Sequence, residues 1–462
     1  MAPIDRAINA VTSMLVLILL QVGLQHRMYI CILSRLPEKE DVELPELSEN
    51  KRKFTVLGAG VVGLCCAVSL QRAGFSVTLV DRLDPGTGTS SGNAGLIQID
   101  SVVPIATPGI LRNVPSMLLD PLGPLVVRWR YLHRIAPWLA RFVRAARPDS
   151  VERISIALAS LLDRSNEAWL ELITAANAQG VWRQSGELHV YRTKQAWEGS
   201  RASDELRRRR GSVLEELTVE EMRQLEPALS PDLYRGVFTP NANSITHPLH
   251  LSQRLFDLFR RSGGTFVKTN VTGFRNGPDG EPIWLSTDGE SLPVDGLVIA
   301  AGAFSKPFAK SAGASVPLDT ERGYHLWLPD PGVEMRRPIV VGDHKFGIVP
   351  MTGGVRLVGT VEFGGLDLAP DWRRADILAK LARPFVPGLN LDGAERWMGF
   401  RPSMPDSLPV IGRAPGKQNV YLAFGHGHLG LTLGAVTGQV ITGLAAGRSP
   451  DVDLVPFRAD RF

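Results

Sequence analysis

The eight residues Val56–Gly63 (VLGAGVVG) constrain this chain more than any other part of it. They close a short β-type stretch, Phe54–Leu57, and lead into Leu64–Arg72, whose spacing predicts a helix ended by Gly74. A strand that passes through three glycines straight into a helix is the opening unit of a parallel α/β sheet. Ser76–Val80 supplies the next strand, and Asp81 stands at its C-terminal end, 18 residues past Gly63. Such glycines let the backbone approach a diphosphate at a helix N-terminus, where unpaired N–H groups favour anions. An acid at that distance accepts from ribose hydroxyls. Gly58, Ala59, Gly60, Val61, Val62, Gly63 and Asp81, with the adjoining Arg82, are therefore candidate dinucleotide contacts.

At 462 residues, 44% of them hydrophobic, the chain can form two or three domains around a sizeable core. A net charge of +4 is too small a bias to argue for nucleic acid, and no basic-aromatic nucleic-acid motif occurs. The three cysteines are Cys31, Cys65 and Cys66, two of them neighbours in the first helix. They support neither a disulfide framework nor a Cys-based metal site, and a reducing compartment is expected; no metal is expected either.

Residues 1–50 read as an extension outside the fold. Met14–Leu20 is strongly apolar, but Gln21, Gln25, His26 and Arg27 interrupt it before the ~20 residues a membrane helix needs. Asp5 cancels Arg6 and no A-x-A site follows, unlike a secretory signal. Pro37–Pro45 reads as a solvated linker. An extension made from an upstream start, with Met28 as a later one, and a weak membrane anchor both stay open.

Beyond Asp81, Thr89–Gly95 (TSSGNAG) is a small polar turn suited to lie against a ligand or to form an ordinary surface loop. Residues 101–150 are rich in Pro, Trp and Arg, including Arg128, Trp129, Arg130, Tyr131, Arg134, Trp138 and Arg141. Two readings stay open: a segment lying on an anionic membrane, or a lid with core aromatics and solvated arginines. Ile154–Ala176 has helical periodicity, and Gly186–Arg192 alternates like a strand. Arg207–Arg210 is expected at the exposed end of a helix. Leu249–Arg261 predicts an amphipathic helix, Thr265–Thr272 a strand, Asn276–Gly280 a hairpin turn and Val294–Gly302 a buried strand entering a glycine turn. Together these read as the second half of a nucleotide-binding sheet. A second glycine signature, Gly425–Gly430 (GHGHLG), lies near the end.

Seven motifs in order carry a resemblance to a known family: Val56–Gly63, Thr89–Gly95, Val298–Ala303, Arg322–His325, Gly399–Pro402, Pro405–Gly412 and Gly425–Gly430. Over about residues 53–447 the chain resembles the FAD-dependent D-amino-acid oxidase superfamily, and within it the bacterial D-amino-acid dehydrogenase (small subunit) branch.

The resemblance implies an α/β fold: a Rossmann-like FAD-binding domain from 51–95, 236–312 and 401–447, with an inserted α+β substrate domain, mainly antiparallel, from 96–235 and 313–400. Residues 448–462 would be a C-terminal tail. It implies FAD contacts at Ser90, Asn93, Ala94, Gly95, Val271, Ala301, Gly302, Gly425, Gly427, His428, Leu429 and Gly430. Backbone donors of the last motif would face the flavin pyrimidine edge, where reduced flavin is negative. No cysteine follows Cys66, so non-covalent FAD is implied.

Arg401 would hold the substrate carboxylate, since a planar guanidinium can pair both oxygens. Tyr324 and His325 would line the same pocket, the phenol holding the carboxylate or amine. His426 would lie by the flavin as a positioning group. His428 departs from the usual Thr, and Leu431 from the usual Trp, which puts pocket shape and substrate in doubt.

The implied reaction is hydride transfer from the α carbon of a D-amino acid to flavin N5, giving a 2-oxo acid and ammonia, with no dedicated side-chain base. A quinone or other respiratory-chain acceptor, peripheral contact with the cytoplasmic face of the inner membrane and a cytoplasmic location go with that branch. Two alternatives stay open: oxidation of a cyclic or secondary amine (cis-4-hydroxy-D-proline, D-proline, sarcosine or glycine), and an FAD-carrying subunit acting with partner redox subunits.

Overall fold

A computed structural model describes residues 52–109, 123 and 125–462. The apolar run and linker of the first 50 residues lie outside the described residues.

Five parallel strands and one antiparallel edge strand build the first sheet, in the order Thr265–Lys268, Ser76–Asp81, Lys53–Leu57, Gly296–Ile299, Val420–Phe424, Val410–Arg413. Its central strands are almost wholly buried because both faces of the sheet are covered. The Val61–Arg72 helix packs on the Gly430–Ala445 helix across glycines: a Cβ on Gly438 would stand 2.7 Å from the Cys65 carbonyl oxygen. Cys65 and Cys66 are fully buried in this crossing, and burial pushes the Cys66 thiol up to about 12, so both are packing residues.

Nine strands form the second sheet, mostly antiparallel, in which Asp319–Leu328 lies between Glu395–Ser403 and Gly354–Phe363. Three further strands, Val271–Asn276, Pro282–Thr287 and Leu292–Pro293, make a small antiparallel sheet of their own. The expected single strand Thr265–Thr272 is therefore two: Thr269 N–H donates to the Asp81 carbonyl at 2.9 Å, Asn270 turns to Asp288, and the chain enters a different sheet at Val271. Likewise Ile154–Ala176 is two helices, Pro148–Leu162 and Ser165–Ala175, broken at Asp163 and Arg164.

Two strands run across the boundaries expected from the sequence. Arg235–Thr239 pairs with Glu187–Tyr191 in the antiparallel sheet, across the boundary expected at 236. Glu395–Ser403 crosses the one expected at 400, and it too stays in that sheet. The helices from Leu132 to Ala175 share a core with the nucleotide-side helices, because their apolar faces (Trp138, Leu158, Trp169) pack there. The tail is docked: Phe457 is fully buried and Arg461 pairs with Asp406 at 2.8 Å. Arg207 also differs from expectation. It turns inward from the Lys194–Arg209 helix to Asp100 and to Asp204 at 3.2 Å, since its buried carboxylates need a cation.

In the Leu132–Ala145 helix, Ile135, Trp138 and Phe142 are buried, while Arg134, Arg141 and Arg144 are exposed, as in the lid reading. Trp129 departs from that reading, at 83% exposed.

Candidate active site

Four strands of the parallel sheet end side by side, and each delivers a turn to one cavity of about 620 Å³. Ligands of open α/β sheets bind at such carboxyl ends. Leu57 leads into Gly58, Val80 into Asp81, Ile299 into Ala300 and Phe424 into the last glycine motif. Gly58 adopts φ +111°, and a Cβ there would lie 2.4 Å from the Ala300 carbonyl oxygen. Glycine is required on both counts. Gly60 sits at the mouth of the Val61–Arg72 helix, where Ser90 Oγ accepts the Val61 N–H at 3.0 Å. The Asp81 carboxylate accepts from Ala59 N–H at 2.6 Å and Leu83 N–H at 2.9 Å, each oxygen keeping a lone pair for a ribose hydroxyl. Arg82 lies 4.1 Å from the Phe304 ring centroid.

The cavity is lined by all of the expected FAD contacts except Gly63, Gly95, Gly425 and Leu429. The three glycines among them make room for close backbone and side-chain approaches. A Cβ on Gly63 would meet the Gly58 carbonyl oxygen at 1.8 Å, and one on Gly95 the Ile245 carbonyl oxygen at 2.2 Å. Gly425 turns at φ +80° against Met404, and Leu429 is buried in the core. The bare glycine cradle, the helix N-terminus and the strand-end carboxylate fit an adenine dinucleotide such as FAD.

The same cavity is also lined by Arg401, Tyr324, His325, His426 and His428. Arg401 faces Glu321 across the two strands, and its guanidinium lies in the space a Cβ on Gly323 would occupy, 2.5 Å away. Among the described residues nothing hydrogen-bonds that guanidinium. Burial lowers its pKa while Glu321 opposes the shift; a guanidinium starts so basic that it carries its charge in proteins. Glu321 is buried, donated to by Ser403 Oγ at 2.5 Å, and desolvation holds its carboxyl above the usual carboxylate range.

Tyr324 does not offer a free phenol. Its hydroxyl donates to Glu362 at 2.6 Å and accepts the Asp371 N–H at 3.0 Å, because Glu362 is a buried anion that also takes Arg128 and Arg322. Burial and that carboxylate push the phenol up to about 12. His325 is stacked on Trp397 at 4.7 Å between ring centroids, and its Nδ1 meets the Gly92 carbonyl at 3.1 Å. His426 Nε2 meets Thr437 Oγ1 at 2.9 Å. Burial pushes both imidazoles down to about 3, with the Arg356 and Arg401 charges adding to the effect at His325. His428 is exposed to the cavity, yet the cavity lies deep in the protein; that depth and the Arg401 charge push it down to about 4.

Sequence reading missed Glu321, Trp397 and Arg356. Only the strand register brings them to the site, although the spacing of Glu321, Gly323 and His325 on one face of a strand was available as a signal.

The neutral histidines make stability sensitive to acid. His325 and His426 have folded pKa values near 3, below the unfolded value of about 6.5. Between these limits the unfolded chain binds more protons, so stability is full above about pH 6.5 and falls as pH drops toward 3. At pH 5 each costs about 2 kcal/mol relative to pH 7.5. Urea midpoints at the two pH values, compared with His426→Gln, check this: the variant should lose less stability on acidification.

The family model described as FAD dependent oxidoreductase (DAO) matches residues 53–444. A D-amino-acid oxidase from Bradyrhizobium diazoefficiens is 36% identical over 89% of this chain and 99% of its own length. A D-amino acid dehydrogenase from Vibrio vulnificus is 30% identical over 87% of this chain and 99% of its own. Among solved structures, a glycine oxidase from Bacillus cereus superposes with TM-score 0.67 at 17% identity, covering 89% of this chain and 99% of that one. An L-proline dehydrogenase from P. horikoshii gives 0.68 at 17%, covering 89% and 98%. The matches span both sheets and the cavity between the motifs, and the chain belongs to the DAO family of FAD-dependent oxidoreductases.

Proposed function

We propose that this enzyme oxidises D-amino acids to 2-oxo acids and ammonia, with a quinone as the final electron acceptor. The observation that carries the reading is Arg401: a charged guanidinium without a hydrogen-bonding partner among the described residues, on the wall of the cavity that the dinucleotide motifs build. The names of the relatives at 36% and 30% identity agree with D-amino acids as the substrates.

Bound FAD supplies acceptance of a hydride from the substrate Cα. The chain's own residues bind and orient. Arg401 pairs both carboxylate oxygens, and Gly323 leaves room for its guanidinium. His325, His426 and His428 are too weakly basic to take a proton at neutral pH, so the substrate ammonium loses its proton to solvent on binding. Loss of hydride from the neutral amine leaves an iminium ion, which takes up water to give the 2-oxo acid and ammonium.

The finer reading, peripheral docking on the cytoplasmic face of the inner membrane, is supported by Trp129 and the exposed Arg130, Arg134, Arg141, Arg144 and Arg147. Among the described residues no helix is long and apolar enough to cross a membrane.

Anaerobic mixing of the FAD-loaded enzyme with D-alanine, D-proline, cis-4-hydroxy-D-proline, sarcosine and L-alanine tests the reading through loss of oxidised-flavin absorbance. Several D-amino acids should bleach the flavin and L-alanine should not, and a soluble quinone should reoxidise it faster than air. Bleaching by cis-4-hydroxy-D-proline alone would move the assignment to a cyclic secondary amine. No bleaching by any amine would leave a flavin-carrying subunit that needs partners.

A further inference from the structure

The loop Thr89–Gly95 brings Ser90, Asn93 and Ala94 to the cavity, yet none of its residues belongs to a sheet. Its successive carbonyls are tied to the antiparallel sheet instead. Arg356, on the Gly354–Phe363 strand, donates from one guanidinium nitrogen to the Ser91 carbonyl at 3.4 Å and to the Asn93 carbonyl. His325, on the neighbouring strand, takes the Gly92 carbonyl between them. The loop is also pressed flat there, since a Cβ on Gly92 would stand 2.3 Å from the Trp397 ring that stacks on His325.

In a planar trans peptide the C=O and the next N–H point opposite ways. Drawing the Asn93 carbonyl to Arg356 therefore sends the Ala94 N–H away from the sheet. Among the described residues that N–H has no acceptor, and both Asn93 and Ala94 line the cavity. Asn93 Oδ1 secures the far side of the turn by accepting the Gly95 N–H at 2.7 Å.

We infer that Arg356 is a positioning residue: by holding the Ser91 and Asn93 carbonyls, it aims the Ala94 N–H into the cavity as a fixed donor to the bound flavin. It acts through the loop rather than on substrate. Burial lowers its pKa to about 10, which leaves it charged at neutral pH, as a two-carbonyl clamp needs. His325, a neutral imidazole, completes the clamp without placing a second cation beside it. The inference rests on the reading that this cavity holds FAD.

The test compares FAD-loaded Arg356→Met and Arg356→Lys with the parent enzyme. Methionine keeps bulk but donates nothing; lysine keeps the charge, but its shorter stem cannot bring a donor to the place the guanidinium nitrogen holds. The Met variant should bind FAD weaker by on the order of tenfold. It should also show a displaced visible flavin band and faster hydrogen exchange at Ala94 and Gly95. Its kcat should fall while substrate KM stays near the parent value, because Arg401 is untouched. The Lys variant should fall between. A Met variant with parental FAD affinity, flavin band and loop exchange overturns the inference. Should the Met variant fail to fold, a Lys variant identical to the parent in all three does so. Failure of the parent itself to bind FAD would overturn the functional reading instead.

Discussion

Arg401→Met should lower kcat/KM for a D-amino acid by roughly a hundred- to ten-thousand-fold, the range for removing one partner of a desolvated, charge-assisted pair. The guanidinium is held in the gap above Gly323, on the register Glu321 opposite Arg401, so it is already in place before substrate arrives. Nothing in the fold uses it as a hydrogen-bond donor among the described residues, which is why stability and flavin content should change little. Arg401→Lys should recover only a small part of the loss, because an ammonium cannot pair both oxygens of a carboxylate in one plane. Steady-state kinetics on flavin-loaded protein, with flavin-to-protein absorbance as the control, decide the matter. A methionine variant with parental kcat/KM would remove Arg401 from substrate binding.

Gly58→Ala should destabilise the protein by about 2–4 kcal/mol and strip it of flavin, through strain and overpacking together. The φ of +111° is unfavourable for alanine, and the new methyl would collide with the Ala300 carbonyl oxygen at 2.4 Å, the carbonyl carbon at 2.7 Å and Ala301 Cα at 2.9 Å. These are backbone atoms of the neighbouring strand's turn and cannot swing aside as a side chain could. Moving them would displace Ala301 and Gly302 from the cavity wall and loosen the Gly58 N–H bond to the Val80 carbonyl, 2.8 Å. Gly74→Ala is the comparison: it too has a positive φ, +93°, but an added Cβ meets nothing within 4 Å. Urea midpoints and retained flavin for the two variants separate strain from collision. Equal behaviour would show that the close approach to Ala300 does not matter.

The division between what was legible in the chain and what was not follows the range of the interactions. Gly58, Gly60, Asp81 and the strands and helix around them were readable because a turn's φ, a helix start and a strand-end acid are local properties, set within about 30 residues. Gly63 and Gly95 were readable as parts of motifs, but motif membership does not say which carbonyl a missing Cβ makes room for. Tyr324 shows the same limit. Its place in the Arg322–His325 motif was legible, whereas the commitment of its hydroxyl to Glu362 depends on a strand that returns 38 residues later.

By itself, then, the sequence determined the nucleotide-binding half: glycines whose missing Cβ atoms the turn requires, an acid at a strand end, and apolar runs that can only be buried parallel strands. Tertiary structure alone decided the surroundings of Arg401. The opposition of Glu321 and Arg401, the stack of His325 on Trp397 and the hold of Arg356 on the Ser91 and Asn93 carbonyls all come from strand register and from the docking of a loop onto a distant sheet. Register is set by which faces of many strands bury together, a sum over the whole fold that no local run of residues contains.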